Sequence, residues 1–245
     1  MTHTSTPLQA QRALVIGASG GIGSAIAREL ASRGSSVVGL GHNKEKLADV
    51  QRSLHPVAGH GHLACDLSIH AHVELLCADL AAQALDFDTV VIASGEFHRA
   101  MIQEADPQMF DRLYAINVRG PYALLRATIA GLIRRRGQIA IVSSTAALRG
   151  RPGFAQYCAT QAALRSLAES IREELNPFEV RVLAVYPGRT ATLLWQTEIE
   201  PTGANLSPEL LLQPQDIAQM VGATLSLPRT AEVTDLHIRP LKKSY

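Results

Sequence analysis

The chain has 245 residues and a mass of 26.3 kDa, and its 23 basic and 22 acidic side chains leave a formal charge of +1 at neutral pH. A hydrophobic content of 47% supplies enough apolar material for a core, which excludes intrinsic disorder and fibrous repeats. The balanced charge argues against a nucleic-acid partner. Three cysteines without CxxC spacing predict neither a disulfide framework nor a thiolate zinc site, and they suit a reducing cytoplasm.

The first residues, 1–11, are polar and lack the basic start and apolar stretch of a secretory signal, so we predict a frayed tail. The longest uncharged stretch, Ala13–Ala27, is too short and too rich in glycine to span a bilayer as a helix. The sequence therefore predicts no membrane anchor.

Short runs rich in β-branched residues alternate with longer amphipathic stretches along the chain. This alternation predicts an α/β protein with a single Rossmann-like domain over residues 1–245, in which helices cover both faces of a doubly wound parallel seven-stranded sheet. In chain order the predicted strands are Ala13–Ile16, Ser36–Leu40, His62–Cys65, Thr89–Ile92, Gln138–Val142, Val180–Val185 and Val233–Ile238. The predicted helices are Ser24–Arg33, Lys44–Leu54, Ile69–Ala84, Pro107–Arg136, Gln156–Leu175 and Pro214–Leu225.

A glycine-rich turn follows the first predicted strand and opens the first helix. Backbone N–H groups and a helix N-terminus at such a junction can hold a pyrophosphate, so we predict a dinucleotide site rather than a loop without a ligand. Gly17 would permit the tight turn, Gly21 the close approach of phosphate, and Gly23 the packing of helix on strand. The predicted contacts in this turn are Gly17, Ser19, Gly20, Gly21, Ile22 and Gly23.

The second strand ends without the acidic residue that would bond the ribose of NAD. His42 and Asn43 follow it instead, and a basic group here would accommodate the extra phosphate of NADP(H). We therefore predict NADP(H) in preference to NAD(H). The alternative is that His42 and Lys44 are simply solvated residues at the start of a helix.

The glycine spacing, Gly-x-x-x-Gly-x-Gly, resembles that of the short-chain dehydrogenase/reductase family, and further motifs of this family follow in order across nearly the whole chain. Tyr157 follows Ser144 by 13 residues, which is the family's interval between serine and tyrosine, and Asn117–Gly120 resembles its asparagine segment. The resemblance implies an oxidoreductase. It also implies cofactor contacts at Asp66, Leu67, Ala93, Ser94, Gly95, Tyr157, Gln161, Pro187, Gly188, Thr190 and Thr192.

The resemblance further implies catalytic roles for Tyr157, which would exchange a proton with the substrate oxygen, for Ser144, which would orient the carbonyl, and for Asn117, which would support a water or a helix. Gln161 stands where the family has a lysine, and we expect it to anchor the ribose. Glutamine carries no charge and cannot promote ionisation of a phenol as lysine does. Because carbonyl reduction needs a protonated tyrosine, the glutamine favours reduction of a ketone or aldehyde over oxidation of an alcohol.

Two other functions remain open. Gln161, together with Ala93 in place of an asparagine, is compatible with a cofactor-binding protein that has lost efficient catalysis. The same fold could also perform dehydration or isomerisation with Tyr157. The family resemblance implies a homodimer or homotetramer built on the helices predicted at Pro107–Arg136 and Gln156–Leu175.

Weaker patterns concern the substrate. Arg134–Arg136 would complement a helix dipole, or, with Arg149, Arg151 and Arg172, would dock an acidic carrier protein that delivers the substrate. The segment Leu193–Leu212, which includes Trp195, falls where the family places a substrate-covering loop, and its apolar content indicates an apolar or mixed substrate. Histidines between positions 55 and 72 lack a spacing that would bring ligands together, so we predict no metal.

Overall fold

The computed structural model of the chain describes residues 8–82, 85–193 and 207–242, and within these ranges seven strands form one sheet. They are β1 (Arg12–Ile16), β2 (Ser36–Gly41), β3 (Gly61–Ala64), β4 (Thr89–Ile92), β5 (Gln138–Val142), β6 (Arg181–Pro187) and β7 (Asp235–Ile238). All neighbours pair in parallel, in the order β3-β2-β1-β4-β5-β6-β7. The predicted Rossmann-like single-domain fold is confirmed.

Helices cover both faces of this sheet. The described α-helices are α1 (Gly21–Ser32), α2 (Lys44–Arg52), α3 (His70–Ala82), α4 (Pro107–Tyr114), α5 (Gly120–Arg135), α6 (Ala155–Leu175) and α7 (Pro214–Leu225). Residues of β1 alternate between the two cores, because successive side chains of a strand point to opposite faces. Leu14 packs in the core with residues of α3, α5 and α6, whereas Val15 packs in the core with residues of α1, α2 and α7.

The structure corrects two predicted boundaries. The single helix predicted at Pro107–Arg136 is divided into α4, a π-helical segment at Ala115–Arg119, and α5. The predicted frayed tail of residues 1–11 does not include Leu8, which is fully buried and whose carbonyl accepts a hydrogen bond from the hydroxyl of Ser35. The Leu8 side chain therefore belongs to the core that contains α1. The sequence did not indicate this, because the residues around Leu8 are mostly polar.

The strand order reverses between β1 and β4, since the chain proceeds from β1 towards one edge of the sheet and from β4 towards the other. Ligands of doubly wound sheets bind in the crevice at the carboxyl ends of the strands beside such a reversal. Of the helices in the described ranges, none is long and apolar enough to cross a membrane.

Candidate active site

The turn between β1 and α1 lies at the carboxyl edge of the sheet, close to the loop that follows β4. Gly17 has a φ of +90°, and a Cβ atom there would lie 2.4 Å from the backbone nitrogen of Ser94. Both the conformation and the lack of space require glycine. The N-cap of α1, Gly20, provides no side-chain cap, and the first turn contains no acidic residue. The N-terminus of α1 therefore suits an anion such as phosphate.

Gly21 makes a close approach that the sequence did not predict. A Cβ atom at this position would lie 2.9 Å from Cγ2 of Thr192. The missing side chain thus lets the loop after β6 approach the start of α1. This contact brings together two predicted cofactor-binding segments that are far apart in the chain.

A cavity of about 380 Å³ opens on one side of the glycine turn, at the carboxyl ends of β1, β2 and β4. The buried Oγ of Ser94 lies here, and it has no hydrogen-bond partner in the part of the chain that the structure describes. Such an atom is satisfied when a ligand or water reaches it. The predicted contacts in the cavity lining are Gly17, Ser19, Gly20, His42, Asp66, Leu67, Ala93, Ser94 and Gly95.

Asp66 is held in the wall of this cavity by the chain just after it. Its Oδ1 atom accepts hydrogen bonds from the hydroxyl of Ser68 at 2.7 Å and from the backbone N–H of Ser68 at 2.9 Å. The bond from the hydroxyl is the main reason that the pKa of Asp66 lies below its usual value. Asp66 is therefore an ionised acceptor at neutral pH.

Two charged residues that the sequence analysis did not single out also line this cavity. Nε of Arg112 lies 3.0 Å from each carboxylate oxygen of Glu96, and this pairing raises the pKa of Arg112. Glu96 could have been found, because it directly follows the predicted contact Gly95. Arg112 could not, since it lies 16 residues further along the chain.

His42 and Asn43 differ in their position at the end of β2. His42 lines the cavity, as a contact to the cofactor requires. Asn43 does not line it; its side-chain oxygen accepts a hydrogen bond from the N–H of Lys46 at 2.9 Å and thereby caps α2. The structure thus gives the Asn43 side chain a local structural role at the start of α2, and the cofactor contact at this residue stays a prediction.

A second cavity of about 130 Å³ lies on the other side of the glycine turn and brings Ser144 and Tyr157 together. Ser144 follows β5, and its Oγ accepts a hydrogen bond from the N–H of Ala146 at 3.1 Å. Tyr157 lies in the first turn of α6. Five other predicted contacts contribute to the lining, together with residues that the sequence did not indicate. The lining is Ile22, Phe97, Ser143, Ser144, Thr145, Ala146, Arg151, Phe154, Tyr157, Pro187, Gly188, Arg189, Thr190 and Thr192.

Aromatic rings form one wall of this second cavity. The ring of Phe97 lies 5.2 Å from that of Tyr157, edge to face, and also 5.2 Å from that of Phe154. Rings at this separation pack favourably and restrict one another's movement. The contacts orient the phenol of Tyr157 and keep its surroundings apolar.

Gln161 bonds Ser143 in the structure, and its contact with the ribose stays a prediction. Its side chain is only 3% exposed, and its Oε1 accepts a hydrogen bond from the hydroxyl of Ser143 at 3.1 Å. It lines neither of the two cavities. The amide is drawn towards the end of β5 because Ser143 supplies a buried donor there, so Gln161 joins α6 to the sheet.

Asn117 joins three parts of the site and is fully buried within the π-helical segment. Its side-chain oxygen accepts a hydrogen bond from the N–H of Glu96 at 2.7 Å, and its nitrogen donates to the Glu96 carbonyl at 2.9 Å. The same nitrogen donates to Thr160 Oγ1 on α6 at 3.0 Å. These bonds fit the predicted support of a helix, and they fix the loop after β4 against α6.

The possible carrier-docking patch at Arg134–Arg136 does not lie beside the site. Arg134 pairs with Asp86 at 2.5 Å and Arg136 with Glu179 at 3.2 Å. These residues flank the amino ends of β4, β5 and β6, at the edge of the sheet opposite both cavities. Arg172 is likewise occupied, since it donates to backbone carbonyls. The structure gives Arg134, Arg136 and Arg172 partners within the protein, and carrier docking at these arginines stays a prediction.

The predicted substrate-covering loop is described only in part, and Trp195 lies outside the described residues together with the rest of 194–206. Leu211 and Leu212, at its end, are buried. Across the described ranges, no three His, Cys, Asp or Glu side chains are grouped so that they could hold a metal ion.

Known proteins resemble this chain over most of its length. A family model described as short chain dehydrogenase matches residues 11–202. An uncharacterised short-chain type dehydrogenase/reductase of Sinorhizobium fredii is 33% identical over 233 residues, which cover 93% of this chain and 90% of that protein. A 3-oxoacyl-(acyl-carrier-protein) reductase of Rickettsia prowazekii is 33% identical over 182 residues, which cover 74% of this chain and 73% of that protein.

A solved structure extends this similarity to three dimensions. It is that of a metagenomic short-chain oxidoreductase in complex with NADP, and it is 31% identical to this chain. The match covers 97% of this chain and 100% of that one, with a TM-score of 0.79. The similarity in fold thus extends over nearly the whole chain.

Proposed function

The chain belongs to the short-chain dehydrogenase/reductase family, and we propose that it is an NADP(H)-dependent oxidoreductase that reduces a ketone or aldehyde with Tyr157 as the proton donor. One arrangement carries the proposal: Tyr157 and Ser144 line the same cavity beside the glycine turn. A phenol and an alcohol can both donate hydrogen bonds to one carbonyl oxygen. This pair is suited to stabilising and protonating the oxygen of a carbonyl group that is being reduced.

The two cavities provide groups that fit a dinucleotide. The N-terminus of α1 suits the phosphates. The Oγ of Ser94 and the carboxylate of Asp66 suit polar groups of the adenosine half, and the loop Pro187–Thr192 suits the nicotinamide half. When bound, the reduced nicotinamide supplies a hydride to the carbonyl carbon.

We propose NADP(H) in preference to NAD(H) on the basis of the residues after β2. His42 lines the nucleotide-side cavity, and no acidic residue lies at the end of this strand to bond a ribose hydroxyl. The similar metagenomic oxidoreductase was solved with NADP.

In the proposed reaction the protein acts on the carbonyl oxygen. Ser144 Oγ already accepts a hydrogen bond from the N–H of Ala146, so its own proton remains available to donate to the substrate. Tyr157 gives its proton to the same oxygen as negative charge develops there. Phe97 and Phe154 keep the surroundings apolar, which strengthens both interactions.

Gln161 supports the reductive direction. Alcohol oxidation needs a tyrosinate, and the neutral amide at this position offers no positive charge to favour one. Reduction needs a phenol that can donate its proton, and this does not require a positive charge beside it. The second candidate, a cofactor-binding protein with impaired catalysis, is favoured by the bond of Gln161 to Ser143, which takes its side chain away from both cavities.

The proposal also covers the substrate, the cellular location and the oligomeric state. We propose a small carbonyl or alcohol compound as the substrate, and a cytoplasmic location, because the three cysteines are free. We also propose a homodimer or homotetramer built on α5 and α6, and sedimentation velocity would measure it. Carrier-bound delivery, by analogy with the Rickettsia reductase, is the alternative.

Fluorescence titration with NADPH and NADH tests the cofactor first. We expect NADPH to bind at least about tenfold more tightly, since a basic group near the 2′-phosphate forms charge-assisted hydrogen bonds. NADPH consumption is then measured with a panel of carbonyl compounds. Tyr157→Phe should lower turnover by about 100-fold or more while binding persists. The matched control is Tyr122→Phe, an exposed tyrosine on α5.

The outcomes separate the candidate functions. Binding of neither nucleotide would overturn the proposal. Tight binding without consumption by any carbonyl compound would favour the cofactor-binding protein. A product formed with bound cofactor but no net consumption would favour a dehydratase or isomerase.

A further inference from the structure

Arg151 is a positively charged residue of the catalytic-side cavity that the proposed reaction does not use. It lines the cavity together with Tyr157 and Ser144. Its side chain is exposed, and its guanidinium makes neither a hydrogen bond nor an ion pair with any residue in the described ranges. An exposed arginine in a site that binds a small molecule is available for a ligand group of opposite charge.

The backbone at Arg151 is fixed. The N–H of Phe154 donates to the carbonyl of Arg151 at 3.1 Å, and Gly153 between them has a φ of +78°. With proline at position 152, these features are typical of a type II turn. The N–H of Ala100 donates to the carbonyl of Gly153 at 3.0 Å, which joins the turn to the loop after β4. The guanidinium therefore extends from an ordered position, which lowers the entropic cost of holding a ligand.

The surroundings of Arg151 favour an anion attached to an apolar body. Arg189 lines the same cavity, and its lining contains no carboxylate among the residues that the structure describes. The guanidinium of Arg99 lies 5.6 Å from the centre of the Phe154 ring, which adds positive charge behind the aromatic wall. Phe97 and Phe154 supply apolar surface between these charges and Tyr157.

We propose that the substrate of this site carries an anionic group, a carboxylate or a phosphate, and that Arg151 binds this group while the carbonyl lies at Tyr157 and Ser144. The inference rests on the proposed function and specifies its substrate class. Guanidinium groups pair with both anions through two parallel hydrogen bonds, so Arg151 would set the orientation of the substrate as well as its affinity.

Matched carbonyl compounds test the proposal. The probes are oxo acids of four to seven carbons, among them 4-oxopentanoate, and the corresponding oxo amides, which have nearly the same shape without the charge. Dihydroxyacetone phosphate and dihydroxyacetone form the phosphate pair. For at least one pair we expect kcat/KM to be about tenfold higher for the anion, the effect of a hydrogen bond to a charged group.

Two variants test whether Arg151 is responsible for the preference for anionic probes. Arg151→Gln should reduce the preference for the anion to about twofold or less, while kcat/KM for the neutral probe changes little. Arg149→Gln is the matched control, because Arg149 is an exposed arginine of the same loop that does not line the cavity. It should retain the full preference. The preference of the unmodified protein should also fall as salt is raised, because the ion pair is exposed.

A binding measurement separates this inference from the proposed function. The melting temperature is measured with NADPH and either pentanoate or pentanamide, or with inorganic phosphate, none of which can be reduced. Stabilisation by an anion, lost in Arg151→Gln and kept in Arg149→Gln, would support the inference even if no carbonyl compound is turned over. Equal response to anions and neutral probes in both measurements, or a preference that survives in Arg151→Gln, would overturn it.

Discussion

The two edges of the sheet use charged side chains in opposite ways. At the amino edge, Arg134 and Arg136 pair with Asp86 and Glu179, and Arg181 donates to backbone carbonyls. Each of these three arginines has a partner within the protein. These pairs connect helix ends to the loops that precede the strands, so their role is structural.

At the carboxyl edge, polar groups are left available to a ligand. Within the described ranges, the Oγ of Ser94 is buried without a partner, and the cavity lining around Arg151 contains no carboxylate. The N-terminus of α1 has no side-chain cap. Because burying an unsatisfied group costs free energy, such groups persist where a ligand supplies the missing bonds. The comparison shows that a charged residue alone does not indicate a binding site. What matters is whether the charge already has a partner in the protein, as at the amino edge, or is available to a ligand, as at the carboxyl edge.

The largest expected change comes from adding a cation to the carboxyl edge. Gln161→Lys should lower the pH at which alcohol oxidation reaches half its maximum by about one unit, because an ammonium group near a phenol favours the tyrosinate. Oxidation at pH 7 should rise about tenfold, and carbonyl reduction should change much less. The pH profiles of both directions measure this.

Gln161→Met is the matched control, since it removes the bond to Ser143 without adding charge. It should leave the shape of both pH profiles unaltered. Unchanged profiles in Gln161→Lys would mean that position 161 does not influence the tyrosine, and that the proposed preference for reduction has another cause.

A smaller effect should distinguish binding from stability at Ser94. Ser94→Ala removes a buried hydroxyl that has no partner in the described chain, so the free energy of unfolding should be unchanged or higher by up to about 1 kcal/mol. NADPH affinity should fall by about three- to tenfold, because a ligand bond is lost. Chemical denaturation and fluorescence titration measure the two quantities.

Ser32→Ala provides the comparison for Ser94, since the exposed hydroxyl of Ser32 donates to the carbonyl of Glu29 far from either cavity. It should leave NADPH affinity unchanged. If Ser94→Ala lowers the free energy of unfolding and leaves NADPH affinity unchanged, the hydroxyl has a structural role. Ser94 would then not be an example of a group that is available to a ligand at the carboxyl edge.

The smallest effect is expected at the amino edge. Arg135→Gln breaks the ion pair with Asp88, in which the arginine is about half exposed. The free energy of unfolding should fall by less than about 1 kcal/mol, as is usual for exposed pairs. NADPH affinity and kcat/KM should stay within about twofold of the original values. A large loss of activity in this variant would show that the amino edge also contributes to function.

Part of the site could be predicted from the sequence because the residues that indicate it lie close together in the chain. The glycine turn lies between a strand and a helix that each have a clear pattern, and the structure places Gly17 in the conformation predicted for it. The hydrogen bonds of Asn43 and Gln161 were not predicted, because each side chain bonds a group of the protein that the sequence analysis did not consider. Asn43 bonds an N–H three residues away, which a capping pattern could have indicated. Gln161 bonds Ser143 on another element.

The sequence by itself determined the fold class, the order of the strands and helices along the chain, and the position of the glycine turn. Those features depend on hydrophobic periodicity and on residues close together in the chain, whereas the pair of Ser144 and Tyr157 was predicted from the family resemblance. Only the tertiary structure decided which arginines are available, since Arg134 meets Asp86 across 48 residues while Arg151 meets no carboxylate in the described ranges. Electrostatic interactions depend on distance in space, and distance along the chain does not reveal it.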